Sequence, residues 1–455
     1  MISLVPIRSG VQVFLHLKPT QLIAVSFFLT ICLGTLLLML PVATTSGQSP
    51  SFIDALFTAT SAVCVTGLVV VDTPTYFSRF GQIVILLLIQ IGGLGIMTFS
   101  TSLALLLGKR IGIREKAVMQ DYLNEMNVEQ LKVLVIAIIK MTLFFEALGT
   151  LLLSLRWYES EHRWGPALYR ALFHAVSAFN NAGFALYSDS LIRFRTDPVL
   201  VLTIALLIIF GGLGFTVIFD LKNARFRQKA QIPRLSLHTK LVLSTTGLLL
   251  LAGTLSFFLA EYQRALQGLS LGDKLLSAFF HAVTPRTAGF NTLPVATLTN
   301  FSLFTTIILM FIGASPGSTG GGVKTSSFAL LILTVRAMIQ GREEVEAFRR
   351  TIPLTVIHRA LVVITLSFGI VNLFTSFLLL TEEAPFLPIF FEVVSAFGTV
   401  GLSMGLTPQL SLPGKAAITL LMFIGRIGPL TLALAIGAKE KRPRYSYPSE
   451  RVMVG

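Results

Sequence analysis

The chain is poor in charge and poorer still in acid. Only 13% of its 455 residues are charged, and 22 acidic side chains stand against 36 basic ones. So little charge excludes an ordinary soluble domain, in which roughly a quarter of the residues are charged. Cysteine is scarce too: Cys32 and Cys64, both in or near apolar segments, offer no disulfide framework. No His-Glu-x-x-His and no convergent pair of carboxylates within the apolar runs speaks for a membrane enzyme. Basic stretches interleaved with exposed aromatics are missing, so the net charge of +14 does not point to nucleic acid.

What fills the chain is apolar: 53% of residues are hydrophobic and the mean hydropathy is +0.78. A spanning helix needs roughly 20 largely apolar residues. Eight runs qualify: about Leu22 to Leu40, Gly81 to Leu107, Val133 to Leu155, Val199 to Leu221, Leu241 to Leu259, Ser302 to Met338, Val356 to Leu380 and Ala416 to Gly437. The first is of spanning length and lacks a small-residue cleavage site, so it reads as a membrane helix and not a signal peptide. The sixth is too long for one straight crossing. Basic residues gather at Lys109 to Lys116, Lys222 to Arg234, Arg342 to Arg350 and Lys439 to Arg444. The intervening loops carry few, among them Arg79, Arg163, Arg193, Arg195, Arg264 and Lys415. This bias places both termini in the cytoplasm of a multi-pass plasma-membrane protein.

One kind of segment occurs four times: Cys64-Val65-Thr66-Gly67-Leu68, Asn180-Asn181-Ala182-Gly183-Phe184, Arg286-Thr287-Ala288-Gly289-Phe290 and Gly398-Thr399-Val400-Gly401-Leu402. Each follows a short helix-compatible run too brief to cross a bilayer, such as Phe173 to Phe179 or Phe391 to Phe397. Each precedes a span with a glycine cluster: Gly92-Gly93-Leu94-Gly95, Gly211-Gly212-Leu213-Gly214, Gly313-Ala314 and Gly425-Arg426-Ile427-Gly428. Such clusters let helices pack closely. The expected fold is an all-α membrane protein of four repeated units, each a span, a re-entrant pore helix and a span, with eight transmembrane helices around a central ion pore. The expected divisions are a lead at 1–18, pore units at 19–108, 128–222, 236–340 and 353–438, and a tail at 439–455.

Carbonyls that replace an ion's hydration shell must point inward from successive residues, and glycine frees the backbone to do so. Non-helical backbone at membrane depth is tolerated where it is buried or lines a water-filled path. Val65, Thr66, Gly67, Asn181, Ala182, Gly183, Thr287, Ala288, Gly289, Thr399, Val400 and Gly401 are therefore the candidate filter, holding K+ by backbone carbonyls. Within the sixth span, Gly313-Ala314-Ser315-Pro316-Gly317-Ser318-Thr319-Gly320-Gly321-Gly322-Val323-Lys324 cannot sustain a helix and reads as an unwound plug below that filter. Its likeness to a phosphate-binding Walker loop is weak, because Val323 interrupts the motif and no strand precedes it. Arg426, inside the last span, is costly unless it faces water or a partner, and reads as part of the gate. Arg286 adjoins the third loop, where a carboxylate such as Glu392 is placed to pair with it. His174 and His281 read as packing or capping residues and not as metal ligands. A polytopic membrane enzyme and an inverted-repeat carrier are the alternatives; the four units run in one direction, which favours a pore.

Val65-Thr66-Gly67-Leu68, Ser177 to Phe184, Thr287 to Asn291, Ser395 to Leu402, the Ser/Gly-rich loop and Ile424-Gly425-Arg426-Ile427-Gly428-Pro429 together resemble the membrane subunits of the Ktr/Trk/HKT potassium transporters, in particular the KtrB-type branch. The resemblance covers nearly the whole chain. It implies a potassium-translocating subunit that forms a homodimer, each protomer with its own pore, on a cytosolic KtrA-type ring of nucleotide-binding regulatory subunits. ATP or ADP on that ring would govern the intramembrane loop, and no cofactor is expected in this chain itself. The tail ending at Gly455 resembles the family's dimer contact. All four filter glycines are present, whereas sodium-selective plant relatives replace the first with serine. Pro316 and Gly317 depart from the family's Ser/Ala-rich gating loop.

Overall fold

A computed structural model describes residues 19–95, 128–227, 235–436 and 450. The lead, the end of the first unit, most of the Lys109–Glu129 linker and the expected dimer contact at Gly455 lie outside these residues. The described chain repeats one order of helices. It begins with α1 (Pro19–Leu38), α2 (Phe52–Val63) and α3 (Arg79–Leu94). Next come α4 (Val128–Glu161), α5 (Trp164–Phe179), α6 (Pro198–Leu213) and α7 (Phe215–Arg227). The third set is α8 (Leu237–Glu261), α9 (Leu271–Val283), α10 (Asn300–Phe311) and α11 (Thr325–Ile339). A two-stranded hairpin, β1 (Glu346–Ala347) and β2 (Arg350–Thr351), leads to α12 (Leu354–Thr381), α13 (Phe386–Gly398), α14 (Leu412–Ile427) and α15 (Pro429–Ile436).

The second spans start and stop for local reasons. Ser78, Asp197, Thr299 and Ser411 each accept the N–H three residues on and so cap α3, α6, α10 and α14. Three of these caps are tied to the preceding long helix: Asp197 to Arg156 (2.6 Å), Thr299 N to Glu261 (2.9 Å) and Ser411 N to Glu382 (2.9 Å). At the other end α3, α6 and α14 stop at Gly95, Gly214 and Gly428, with φ of 78°, 93° and 91°. These values suit glycine and almost nothing else. The chain turns by 95° between α6 and α7.

This corrects the sequence reading, which placed a break in the sixth run alone and took Val199 to Leu221 and Ala416 to Gly437 as continuous. By length and apolarity, four described helices qualify as spans: α1, α4, α8 and α12, with the bent α6–α7 pair as a fifth. The remaining second helices are cut short by their glycines.

The long and short helices meet different surroundings. Long helices present bare apolar side chains outward, with Leu251 70% and Leu380 87% exposed. The equivalent phenylalanines of the short helices, Phe57, Phe173, Phe280 and Phe391, are all fully buried. Each second helix packs on the short helix of the following unit: α3 on α5, α6 on α9, α10 on α13, and α14 back on α2. A side chain at Gly92, Gly211 or Gly425 would run into the carbonyl oxygen of Val63, Phe179 or Phe397, at the ends of the short helices. The glycine clusters therefore buy close approach, the usual basis of helix association in lipid. An ion pair between Lys415 and Asp54 (2.7 Å) fastens the last unit to the first.

Candidate functional site

The four glycine loops share one backbone conformation. Val65, Asn181, Thr287 and Thr399 have positive φ (56°, 58°, 74° and 50°), and so do Gly67, Gly183, Gly289 and Gly401 (86°, 70°, 78° and 93°). A non-glycine residue in that region costs about 1–2 kcal/mol. Four such residues at one register mark a held geometry and not an accident of looping. A backbone alternating in hand can turn successive carbonyls to one side, as a carbonyl-lined ion path requires.

The loops also meet one another in cyclic order. A Cβ added to Gly67 would overlap the carbonyl oxygen of Ala182. Added to Gly183 it would lie 2.7 Å from the Ala288 oxygen, and added to Gly289 it would lie 2.5 Å from the Val400 oxygen. At Gly401 it would overlap the Thr66 oxygen, which closes the ring. Of the residues expected at the filter, Thr66, Gly67, Ala182, Gly183, Ala288, Gly289, Val400 and Gly401 meet in this ring.

Sequence reasoning missed what holds the loops. Ser61 Oγ accepts Gly67 N–H (3.0 Å) and donates to Leu68 O (2.7 Å). Ser177 Oγ donates to Phe184 O (2.8 Å), Thr284 Oγ1 donates to Phe290 O (2.7 Å), and Ser395 Oγ accepts Gly401 N–H (3.1 Å). A hydroxyl six residues before each glycine, five in the third copy, was the available signal. Also missed was a buried trio behind the second loop, in which Asn180 Nδ2 donates to Glu146 (2.9 Å) and to Gln90 (3.2 Å).

The Gly313–Lys324 segment is unwound and lies against the ring. Gly321 N–H donates to Thr399 Oγ1 (3.1 Å), and a side chain on Gly320 would strike Thr287 Oγ1. The segment is also anchored to the second unit, through Ser315 N to Gly212 O (3.0 Å) and Phe215 N to Gly317 O (3.0 Å). Two cations bind its carbonyls: Lys324 Nζ donates to Gly320 O (2.7 Å), and Arg426 donates to Thr319 O and also to Gly92 O of α3. A helix, not a strand, precedes the segment. Gly313-Ala314-Ser315-Pro316-Gly317 also fits the Gly-x-Ser-x-Gly spacing of hydrolases, but no strand-to-helix elbow forms, and Ser315 Oγ accepts from Thr325 Oγ1 (3.0 Å).

The expected pairing of Arg286 with Glu392 does not form among the described residues. Glu392 accepts from Ser403 Oγ (2.7 Å) and Thr407 Oγ1, whereas Arg286 Nη2 donates to Thr246 Oγ1 (3.3 Å). Glu392 turns to the returning loop of its own unit, where those two hydroxyls hold its carboxylate. His174 contacts Arg170 O (2.8 Å) and accepts Leu186 N–H (3.3 Å), and His281 lies 3.3 Å from Thr306 Oγ1. Both are buried structural groups. Among the described residues, no cluster of His, Cys, Asp or Glu is arranged to hold a metal ion.

Four glycine loops closed into a ring, with an unwound, cation-capped segment against it, are carried by apolar helices long enough to cross a membrane. The chain belongs to the TrkH family of cation transport proteins, whose family model matches residues 12–445. It is 46% identical over 445 residues to the Ktr system potassium uptake protein B of Bacillus subtilis, covering 97% of this chain and 98% of that one. Similar too are the protein of the same name from Vibrio alginolyticus, at 43% identity over 96% of this chain and 94% of that one, and the potassium/sodium uptake protein NtpJ of Enterococcus hirae, at 40% over 97% and 98%. The potassium transporter TrkH of Vibrio parahaemolyticus has the same fold, with a TM-score of 0.67 at 18% identity over 90% of this chain and 84% of that one. Membership in a transport family sets the enzyme reading aside.

Proposed function

We propose that this chain is the potassium-translocating membrane subunit of a Ktr-type uptake system, conducting K+ down its electrochemical gradient. The observation that carries the reading is the closed ring, in which each filter glycine abuts a carbonyl of the next loop. Carbonyls in such a ring replace the water that a potassium ion sheds. The ring leaves no room for a side chain at any of its four glycines. The relatives named for potassium uptake support the choice of ion.

Below the ring, Gly313 to Lys324 acts as the gate, with Lys324 and Arg426 holding its carbonyls and adding positive charge to a cation path. The broken second helices complete four further crossings, so that eight segments span the membrane and both termini are cytoplasmic. Two such chains pair, and a cytosolic KtrA-type ring binding ATP or ADP drives the gate. The multi-component naming of the relatives supports a partner subunit.

Ion-selective flux into proteoliposomes tests this directly. Potassium and rubidium should enter in preference to sodium, and Gly67→Ser should erase that preference. An unchanged preference in a folded variant would remove the ring from selectivity.

A further inference from the structure

A cavity of about 530 Å3 opens between α8, α11 and the β hairpin. Its membrane side is apolar, lined by Leu241 and Leu248 of α8 and by Phe328 and Ile332 of α11. Seven helical residues separate Leu241 from Leu248, about 10 Å along the axis, which is enough to run from a headgroup into the upper acyl region. Leu248 and Ile332 are 65% and 52% exposed, so the cavity opens onto an apolar outer face.

The mouth is basic. Arg336 near the end of α11 meets Arg342 and Arg349 from the hairpin segment. Two carboxylates also reach it, Glu346 paired with Arg342 (3.5 Å) and Glu344 accepting from Thr351 (3.2 Å), and three guanidiniums against these two leave the mouth net positive. The hairpin turn is built from Phe348 and Arg349, both at positive φ (50° and 63°). Such turns ordinarily take Asn and Gly. Here strain is accepted to place an aromatic ring and a guanidinium at the opening.

We infer that this cavity seats an anionic phospholipid of the cytoplasmic leaflet, its phosphate on Arg336 and Arg349 and an acyl chain between α8 and α11. The inference rests on the cytoplasmic assignment of the basic segments proposed above. Basic pockets between membrane helices on that side suit acidic headgroups, and arginine matches phosphate geometry with two parallel donors. The site bears on the gate. α11 begins at Thr325, whose N–H donates to Ala314 O (3.3 Å) and whose hydroxyl donates to Ser315 (3.0 Å). A lipid wedged along α11 thus steadies the helix from which the unwound segment hangs.

The test is native mass spectrometry of the purified full chain, released from nanodiscs of phosphatidylcholine with a minor share of phosphatidylglycerol. The wild type should retain phosphatidylglycerol preferentially. Arg336→Gln with Arg349→Gln should weaken retention on the order of tenfold. Ile332→Trp, which narrows the apolar side of the groove without touching charge, should also expel the lipid. Equal retention by wild type and the arginine variant overturns the site, and retention by Ile332→Trp overturns the groove. If the arginines instead serve an acidic segment of a partner protein, the purified chain will show no lipid preference, which also overturns the proposal. Phe348→Cys, probed with an impermeant reagent on intact cells, separates the two readings: labelling from outside sinks the topology, whereas retention blind to charge sinks the site alone.

Discussion

The ring and the segment beneath it are built on opposite plans. In the ring, four loops repeat one conformation, one hydroxyl pin and one neighbour contact. One layer down the repetition fails. Among the described residues, two of the second helices resume after a single glycine, whereas the third unravels from Gly313 to Lys324. Selection by a carbonyl ring gains from equivalent partners, because an ion in the middle sees them all at once. A movable element gains from being single, because one segment can change state without reshaping the other three units.

The comparison is broken most forcefully at the ring. Gly67→Ser should lower the potassium-over-sodium flux ratio about tenfold or more, corresponding to ~1.4 kcal/mol. Gly183→Ser should act similarly, so a ratio that falls in one variant and holds in the other denies the equivalence of the loops. Next in size, deleting Ala314 to Gly321 should raise basal flux several-fold and leave the ion ratio intact; reduced flux in a well-folded deletion would remove the plug from the argument. Arg426→Ala frees the Thr319 and Gly92 carbonyls, each bond to a charged group being worth about 1.5–3 kcal/mol. Flux should rise less than in the deletion, with unchanged assembly by gel filtration, and a loss of expression alone would make Arg426 a structural residue. Smallest, Ser395→Ala removes one pin worth about 1 kcal/mol. It should reduce selectivity less than Gly67→Ser, and Ser61→Ala, which removes two such bonds, should fall between them.

Much of this was legible because repetition amplifies weak signals. Gly67, Gly183, Gly289 and Gly401 announced the loops, and Pro316 with its flanking glycines announced the unwound segment. The breaks at Gly214 and Gly428 escaped notice because glycine inside an apolar run reads equally as close packing, and at Gly211 and Gly425 it does serve packing. Only φ separates the two uses. Arg286 and Glu392 were matched by charge and adjacency in the repeat, but helix rotation decides which way a side chain faces, and sequence spacing across units does not carry that information. The hydroxyls at Ser61, Ser177, Thr284 and Ser395 were visible yet carried no chemistry until the loops had shape.

The ion pair between Asp54 and Lys415 joins residues 361 positions apart. Gly401, which abuts Thr66, lies nearly as far down the chain. During synthesis the first three units leave the ribosome before either contact is available, so the nascent chain holds an arc and not a circle. Long-range closure of this kind is slow, because its entropic cost falls due before any contact rewards it. A chain arrested before its final unit presents Gly289 and Thr66 with no neighbour on one side, and so lacks the closed circle. Closure of the ring is coupled in this way to completeness: the four loops meet only when the last unit has been inserted.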